Sequence, residues 1–423
     1  MSELPTAWAE TSLGELIELK YGKALPDRER SGDGFPVFGS NGIVGHHNKA
    51  LTTGATVVIG RKGSVGEVNF SEIPCSSIDT TYYVDSFPGS QSKYWYYKLR
   101  SLPLKELNKS TAIPGVSRSD VYPLKITLAP LPEQKRIADK LDSVLARVDA
   151  CRDRLDRLPA LLKRFRLSIL AAATSGRLTE DWRPNHGIRV PTWKETTLSG
   201  ACRKITDGEH ITPQIFDSGV PLVSAKDVRE WGVDFSDTKF VSVQFAEISR
   251  KRCDPECKDV LVVSRGATVG RTCLVASDKV FCLMGSVLLF KPNTATVIPE
   301  YFAHLLSSPS GLEQLTKASG ATAQQAIYIR DAKNLPIQLP PLPEQTEIVR
   351  RVELLFAFAD RLEARLAAAR RQVGQLTPAL LAKAFRGELV AQDPADEPAA
   401  ELLKRLAAQR EAAPKAKRGR AKA

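Results

Sequence analysis

The sequence predicts an α+β fold in which two mostly β globular segments alternate with two long helices as a pseudo-two-fold repeat. The stretch Ala129-Pro-Leu-Pro-Glu-Gln134 returns as Pro340-Pro-Leu-Pro-Glu-Gln345, 211 residues further along the chain. After each copy, apolar residues recur at alternating spacings of four and three, the pattern of a coiled-coil seam. The chain is therefore a tandem duplication of a globular head followed by a long helix.

The two predicted helices match position by position, with no insertion or deletion before the glycine that closes each one. Equal length and equal register are what a coiled-coil pair requires. The first seam covers 33 residues, or about 48 Å at 1.5 Å per residue. Pro159 and Pro378 interrupt the pattern, and each is expected to kink its helix rather than end it. The seam residues are Ile137, Leu141, Val144, Val148, Cys151, Leu155, Leu158, Leu162, Phe165 and Ile169, and in the second copy Ile348, Val352, Leu355, Ala359, Leu362, Leu366, Ala369, Val373, Leu376 and Leu380.

The repeat extends into the heads. Trp8-Ala-Glu-Thr-Ser-Leu13 corresponds to Trp193-Lys-Glu-Thr-Thr-Leu198 at an offset of 185, and Arg61-Lys-Gly-Ser-Val-Gly66 to Arg265-Gly-Ala-Thr-Val-Gly270 at an offset of 204. The rising offset means that the heads differ by insertions, whereas the helices do not. This indicates a fixed scaffold that carries two adaptable heads.

These patterns divide the chain into five segments. Short runs rich in β-branched residues lie between Gly and Pro clusters in both heads, which is typical of strands. The predicted strands are Ala55–Ile59, Thr80–Val84, Asp259–Ser264 and Ser286–Phe290, and Lys93–Lys98 is predicted to be helical. The expected segments are a first head at 1–130, a helix at 131–180, a second head at 188–340, a helix at 341–390 and a basic tail at 391–423. After a short helical patch the tail is expected to be largely disordered.

Composition narrows the class of partner. Lys and Arg outnumber Asp and Glu by 60 to 48, a net charge of +12 in 423 residues. Such an excess suits a polyanion, most often nucleic acid, although solubility alone also explains it. No apolar run approaches the roughly 20 residues of a membrane span. Seven cysteines without the dense spacing of a secreted framework indicate reduced thiols in a cytoplasm.

Motifs of catalysis are missing from the sequence. No Gly-rich nucleotide loop of either common kind is present, and neither is an Asn-Pro-Pro-aromatic or Pro-Cys tetrapeptide of the DNA methyltransferase type. Cys253, Cys257, Cys273 and Cys282 can be drawn as four thiolate ligands, but their spacing departs from that of paired Cys-x-x-Cys zinc sites. The sequence thus predicts no catalytic residue and no metal on this chain.

Candidate DNA-binding residues lie in Gly-rich loops of both heads. Arg pairs bidentately with guanine and Asn or Gln with adenine, while Lys, Ser and backbone amides hold phosphates. Because Arg61 and Arg265 recur in both heads, a structural or phosphate-binding role is as good an interpretation for them as base reading. The candidates are Lys23, Ser40, Asn41, Arg61, Lys62 and Ser64 in the first head, and Lys226, Arg265, Thr268, Arg271, Gln324, Gln325 and Tyr328 in the second.

Taken together, these residues resemble the specificity subunit of type I restriction-modification systems, over nearly the whole chain to about residue 390. The most specific segments are the two Pro-Leu-Pro-Glu-Gln motifs, Leu161–Arg166, Ala171–Thr179 with Trp182-Arg183, and Ala384–Leu389. Family-like phrases in the heads are Phe35–Gly42, Gly219–Lys226 and Asp259–Ser264.

The resemblance implies that the heads are target recognition domains, each of which reads one half of a split site in double-stranded DNA. It also implies that the helices form an antiparallel coiled coil that spaces the heads and docks two methyltransferase subunits. Adenine methylation with S-adenosylmethionine would belong to those subunits. Translocation and cleavage with ATP and Mg²⁺ would belong to a restriction subunit, which leaves no cofactor on this chain. Two other classes remain open from the residues alone: a coiled-coil adaptor without DNA contact, and a DNA-modifying enzyme in its own right.

Overall fold

The computed structural model describes residues 4–87, 89–108, 115–187, 193–317 and 326–412. The chain divides into two compact units, each built from segments that are distant in sequence. The first unit comprises Met1–Asp156 and Ala368–Ala423, and the second comprises Arg157–Ala367. Each unit therefore contains one head, one part of the first long helix and one part of the second.

In the first unit, two sheets and a pair of strands form the head. The strands are β1 (Ala9–Ser12), β2 (Lys20–Tyr21), β3 (Phe35–Gly39), β4 (Gly42–His47), β5 (Thr56–Gly60), β6 (Val68–Ser71), β7 (Ser76–Ser77), β8 (Thr81–Val84) and β9 (Lys125–Leu128). The larger sheet has the order β2-β8-β5-β6, the smaller β4-β3-β7, and β1 pairs with β9. Helices α1 (Ser92–Ser101) and α2 (Arg118–Val121) complete the head.

The second head repeats this plan. Its strands are β10 (Lys194–Thr197), β11 (Cys202–Asp207), β12 (Val220–Val223), β13 (Val228–Arg229), β14 (Gly232–Val233), β15 (Lys239–Val241), β16 (Val260–Val263), β17 (Thr272–Leu274), β18 (Cys282–Leu283), β19 (Val287–Pro292) and β20 (Pro336–Leu339). The sheet orders are β11-β19-β16-β17 and β15-β12-β18, and β10 pairs with β20. Its helices are α4 (Leu198–Ala201), α5 (Val243–Arg252), α6 (Pro299–Ser307), α7 (Pro309–Lys317) and α8 (Ile329–Lys333).

The insertion that the sequence offsets indicate is visible as extra elements in the second head. Strands β3 and β7 pair in parallel in the first head, as β12 and β18 do in the second. Strand β3 of the first head therefore corresponds to β12 of the second. In the first head β3 is followed directly by β4. The second head adds the hairpin β13–β14 and helix α5 between β12 and β16. These additions lie where the repeat offset rises from 185 to 204.

The two long helices are α3 (Leu131–Thr174) and α9 (Leu342–Phe385), each of 44 residues. Pro159 and Pro378 lie within these helices, so the prediction that neither proline ends its helix is confirmed. No helix in the described ranges is both long enough and apolar enough to cross a membrane.

In each unit the start of one long helix packs near the end of the other. Ile137 and Leu141 of α3 share one core cluster with Leu381 and Phe385 of α9 in the first unit. In the second unit Ile169 of α3 shares a cluster with Ile348 and Val352 of α9. The helices are therefore antiparallel, as the resemblance implies. Ion pairs follow the same register, Asp156 with Arg370 in the first unit and Arg166 with Asp360 in the second.

The predicted seam is not uniformly buried. Its first two residues in each helix, Ile137 and Leu141 in α3 and Ile348 and Val352 in α9, are fully buried, because the head covers them in addition to the second helix. Leu158, however, is 38% exposed and Leu376 is 43% exposed. A strict spacing of four and three therefore overstates how uniformly the seam is buried.

The tail folds onto the first unit for part of its length. The short helical patch predicted there is α10 (Ala399–Ala412), whose Leu402 is buried in the core of the first unit. The backbone N–H of Ala399 donates to the carbonyl of Ala7, and Arg136 forms an ion pair with Asp396 at 2.6 Å. Residues 413–423 lie outside the described part of the chain.

Candidate nucleic-acid interface

The repeated Glu-Gln pair connects each head to its helix. Indole Nε1 of Trp8 donates to Oε2 of Glu133 at 2.9 Å, and Gln134 Nε2 donates to the carbonyl of Ala129 at 2.8 Å. Both Glu133 and Gln134 are buried at the start of α3. Burial raises the pKa of Glu133 above its ordinary value. The hydrogen bond from Trp8 lowers that pKa and offsets part of the rise.

The second unit repeats this joint with different donors. Trp193 Nε1 donates to Oε2 of Glu344 at 3.1 Å. The other oxygen of Glu344 accepts from Arg183 Nε at 2.6 Å and from Thr179 Oγ1 at 2.7 Å. In the first unit the corresponding donor is Gln392, at 2.7 Å from Glu133. The most specific motifs of the sequence therefore have structural roles at the head–helix joint.

A group of cations and tyrosines lies on the first head, contributed by four separate elements. Tyr21 ends β2, Arg61 follows β5, Tyr82 belongs to β8 and Arg118 begins α2. The guanidinium carbon of Arg118 lies 4.1 Å from the ring centroid of Tyr21, and that of Arg61 lies 5.1 Å from it. Both guanidinium groups also approach the ring of Tyr82, at 5.8 and 5.7 Å. We call this group the first-head cluster.

The electrostatics of the first-head cluster favour an anion. Among the described residues no carboxylate forms an ion pair with Arg61 or Arg118, and the Nε atoms of both are buried without a hydrogen-bond partner. A hydrogen bond from Tyr82, followed by the nearby cations, lowers the pKa of Tyr21, whereas burial raises that of Tyr82 to about 12. The two guanidinium groups that lie near the ring of Tyr21 carry like charges and repel each other. A bound phosphate would reduce that repulsion.

A hydrogen bond joins two candidates of the first head next to Arg61, a member of this cluster. Ser40 Oγ donates to the carbonyl of Lys62 at 2.6 Å, which ties the β3–β4 turn to the loop after β5. The backbone N–H of Lys23 donates to the carbonyl of Ser77 in β7 at 2.8 Å. Asn41 and Lys62 are exposed. The last candidate, Ser64, is half-buried and lies in the same loop as Lys62.

On the second head, an open cleft of ≈ 520 Å³ contains two of the candidates, Arg265 and Tyr328. Both side chains are exposed, and the guanidinium carbon of Arg265 lies 5.9 Å from the ring centroid of Tyr328. The cleft is lined by Asp207, His210, Ser264, Arg265, Gly285, Ile327, Tyr328, Ile329 and Arg330.

Lys226, Thr268 and Arg271 do not line the cleft. Lys226 is engaged by Asp237, with Nζ 2.7 Å from Oδ2, and this pairing raises the pKa of Lys226. Arg271 Nη1 donates to the carbonyl of Val228 at 3.3 Å, and its N–H bonds to the carbonyl of Thr268. Gln324 and Gln325 lie outside the described residues.

Sequence reasoning missed several residues of these two sites, namely Tyr21, Arg118, Asp207, His210 and Arg330. One signal was present. Tyr21-Gly22 and Asp207-Gly208 correspond in the repeat, at an offset of 186. A strict comparison of the two heads would have marked this position as one at which they differ.

The cysteines do not form a metal site in the described part of the chain. All seven are free thiols, and no group of three or more His, Cys, Asp or Glu there is placed to hold a metal ion. Burial raises the pKa of Cys253 and of Cys273 to about 12. Since a metal binds the thiolate, burial of this kind opposes ligation.

Two heads of unlike sequence, each with exposed cations, are joined to a duplicated helical scaffold. The profile described as type I restriction modification DNA specificity domain matches residues 5–160 and 192–369, and the chain belongs to that family. The specificity subunit of the type I restriction enzyme EcoBI from Escherichia coli is 30% identical over 96% of this chain and 93% of its own length. That of EcoKI from Escherichia coli strain K12 is 34% identical over 73% of this chain and 69% of its own.

Solved structures agree in fold. A chain from a study of complex assembly and conformational transition in the type I R-M system aligns with a TM-score of 0.63 at 18% identity, over 92% of this chain and 100% of that one. The HsdS subunit from Thermoanaerobacter tengcongensis aligns with a TM-score of 0.58 at 20% identity, over 92% and 98%. The predicted fold, the family and the role as a non-catalytic DNA specificity subunit are confirmed. The adaptor and the self-sufficient enzyme are not favoured.

Proposed function

We propose that residues 1–130 and 188–340 are target recognition domains, and that each reads one half of a bipartite site in double-stranded DNA. The observation that carries this proposal is a difference at a shared position. Both heads present an arginine after the corresponding strand, Arg61 after β5 and Arg265 after β16. Around it the first head offers Tyr21 and Arg118, whereas the second offers Asp207 and Tyr328. The arginine is common to both heads, but its neighbours differ. Such a difference is what two heads that read two different half-sites require.

Mapping of methylated adenines tests this proposal. The chain would be expressed with its methyltransferase subunits in a host that lacks other adenine modification. We expect one bipartite motif, with two unlike half-sites and an unspecified gap. Replacement of residues 188–340 by the second head of a relative should change one half-site and leave the other unchanged. A single continuous motif, or a change in both halves, would contradict the assignment.

We also propose that the helices at 131–180 and 341–390 act as spacers and dock two methyltransferase subunits. Exposed apolar side chains on the helices support this. Leu354 is 57% exposed and Phe358 is 48% exposed, and the two lie four residues apart on one face of α9. Large apolar residues exposed on a long helix are typical of a protein interface. Leu158 and Leu161 of α3 are exposed in the same unit.

Co-purification with tagged methyltransferase subunits tests the docking surface. Phe358→Glu should reduce recovery of the subunits strongly, because it places a charge in an apolar contact. Ala364→Glu is the matched control, since Ala364 is exposed on another side of α9. Equal recovery with both variants would remove this face from the interface.

The reactions belong to the partners under this proposal. Methylation with S-adenosylmethionine is assigned to the methyltransferase subunits, and translocation and cleavage with ATP and Mg²⁺ to restriction subunits. The sequence supports this, because it contains no nucleotide-binding loop or methyltransferase tetrapeptide. Seven free thiols suit the cytoplasm, which is the compartment we propose. We assign no DNA-binding role to the tail at 391–423.

A further inference from the structure

One position of the repeat places chemically different side chains at the same point of the two heads. Gly22 and Gly208 each pass so close to a neighbouring backbone segment that a Cβ would collide with a carbonyl, that of Ile78 just after β7 and that of Leu283 in β18. The residues after these glycines, Lys23 and Glu209, also bond through their N–H groups to matching carbonyls, each at 2.8 Å. The residues before them, Tyr21 and Asp207, are therefore structurally equivalent.

Asp207 is a largely buried carboxylate that lines the cleft on the second head, and its side chain is 11% exposed. Its Oδ2 lies 2.9 Å from Nε2 of His210, and its Oδ1 lies 3.3 Å from Nη1 of Arg252. Arg252 also donates to the carbonyl of Gly208. It is the last residue of α5, one of the elements that the first head lacks. The inserted helix therefore positions a side chain at the site where the two heads differ.

His210 is fixed from two sides. Because a carboxylate only accepts, the imidazole proton on Nε2 points at Asp207. The opposite edge of the ring lies against Gly285, where a Cβ would come within 2.6 Å of Nδ1 and 2.8 Å of Cε1. The N–H of Gly285 is itself bonded to the carbonyl of Glu209 at 2.7 Å. The ring is half exposed and lines the cleft, so its orientation is set before any ligand arrives.

The chemistry of Asp207 and His210 differs from that of a phosphate-binding site, because one of the two side chains is a carboxylate. An ionised carboxylate has no proton to donate to a phosphate oxygen, so Asp207 itself does not bind the DNA backbone. It does match an exocyclic amino group, and the usual partner of Asp or Glu on a base edge is N4 of cytosine. Arg265 and Arg330, which line the same cleft, suit the adjoining phosphates.

We propose that Asp207 and His210 are specificity-determining residues of the second head, and that Asp207 accepts a hydrogen bond from the exocyclic amino group of a base in its half-site. Arg252 is a positioning residue for this contact. The inference rests on the proposed function, because it assumes that each head reads one half-site. The first head reads its half-site with other chemistry, since Tyr21 and two arginines occupy the corresponding place.

The test uses the full chain in complex with its methyltransferase subunits. Asp207→Asn replaces one carboxylate oxygen by an NH2 donor and removes the negative charge with little change of shape, and His210→Ala removes an exposed ring. Asp217→Asn is the control, because Asp217 is an exposed carboxylate of the same head. This substitution removes the same charge at a different place. For each variant we would map methylated sites and measure affinity for the mapped duplex, for duplexes without one exocyclic amino group, and for random DNA.

Wild-type complex should lose affinity by about 10- to 100-fold when one particular amino group of the second half-site is removed. Asp207→Asn should lose a similar factor on the intact duplex and lose little more when that amino group is also absent. The first half-site and binding to random DNA should stay unchanged, and Asp217→Asn should behave like wild type. His210→Ala should relax the same base position.

Other outcomes overturn the inference. If Asp207→Asn and His210→Ala both read the wild-type motif with wild-type affinity, the cleft does not contact bases. If both half-sites weaken equally in His210→Ala, the pair supports the fold and not specificity. A wild-type complex without a bipartite motif would instead refute the proposed function, so the two failures are distinguishable.

Discussion

The indole of Trp8 and the carboxylate of Glu133 form a buried hydrogen bond of 2.9 Å, 125 residues apart in sequence. Trp193 and Glu344 repeat this bond at 3.1 Å. The two bonds are alike, but their surroundings are not. Glu133 takes its second donor from a neutral amide, whereas Glu344 takes it from the buried guanidinium of Arg183.

This difference predicts unequal effects of the same substitution. Glu344→Gln leaves the buried charge of Arg183 without its counter-charge, and breaking such a pair costs about 3–5 kcal/mol. Glu133→Gln keeps neutral partners and should cost about 1 kcal/mol. Thermal unfolding of the complete chain would compare the two variants. Equal losses of stability would show that the charge on Arg183 is balanced elsewhere.

A second prediction concerns a buried lysine of the first head. Lys98 is 3% exposed, its Nζ lies 4.5 Å from the ring centroid of Phe385, and it donates to Thr127 Oγ1 at 3.2 Å. Burial lowers the pKa of Lys98 to about 7. The second head places Leu305 at the corresponding position of α6, counted from the buried tyrosines Tyr94 and Tyr301.

Between pH 7 and about 10 the unfolded chain holds a proton on Lys98 that the folded chain has released. The free energy of unfolding therefore rises with pH in this window, by at most about 4 kcal/mol, and the gain is absent below pH 7. Lys98→Met should remove this rise and increase stability at pH 7. Denaturant unfolding of both proteins from pH 6.5 to 9.5 provides the comparison, because other groups titrate equally in each. If the free energies of unfolding of wild type and Lys98→Met changed in parallel with pH, Lys98 would not be neutral in the folded chain.

The first-head cluster yields a third prediction. Arg118→Gln removes one of two neighbouring cations that have no carboxylate partner in the described residues, so stability should stay the same or rise slightly. Binding to DNA should weaken, and the slope of log affinity against log salt should become shallower by about one. Lys125→Gln removes an exposed charge from the same unit as a control. An unchanged salt slope for Arg118→Gln would exclude this cluster from phosphate binding.

A fourth prediction separates phosphate from base contacts in the first head. Lys62 is an exposed point charge, so Lys62→Ala should weaken binding about equally on cognate and random DNA. Asn41 has an amide that can grip adenine on two atoms, and Asn41→Ala should cost about 1–3 kcal/mol on cognate DNA alone. If Lys62→Ala weakened binding to cognate DNA alone and Asn41→Ala weakened binding to both DNAs, Lys62 would be the base contact and Asn41 the phosphate contact. Lys226→Ala should change the salt slope less than Lys62→Ala, because Asp237 already neutralises Lys226.

The sequence predicted the scaffold better than the sites, for a physical reason. The strands β5, β8, β16 and β19 and both long helices follow from local periodicity and from the repeat, which are properties of contiguous residues. The first-head cluster brings together β2, β8, the loop after β5 and the start of α2, and only the folded sheet makes them neighbours. Arg252 reaches Asp207 from an inserted helix that has no counterpart in the first head. No local pattern encodes such a contact.

The last prediction concerns the long helices as the determinant of the gap between half-sites. Asp156 with Arg370 and Arg166 with Asp360 fix one antiparallel register, in which Val144 of α3 corresponds to Ala382 of α9. Insertion of one heptad after Val144 and one before Ala382 keeps the apolar positions in phase, because seven residues restore the seam. Each insertion adds about 10 Å of helix, equivalent to about three base pairs at 3.4 Å each. If the helices set the gap, the methylated motif should keep both half-sites and gain about three unspecified base pairs. Insertion of four residues at the same places is the control, because it rotates the seam and should abolish assembly. Retained methylation with the original gap would show that the helices do not set it.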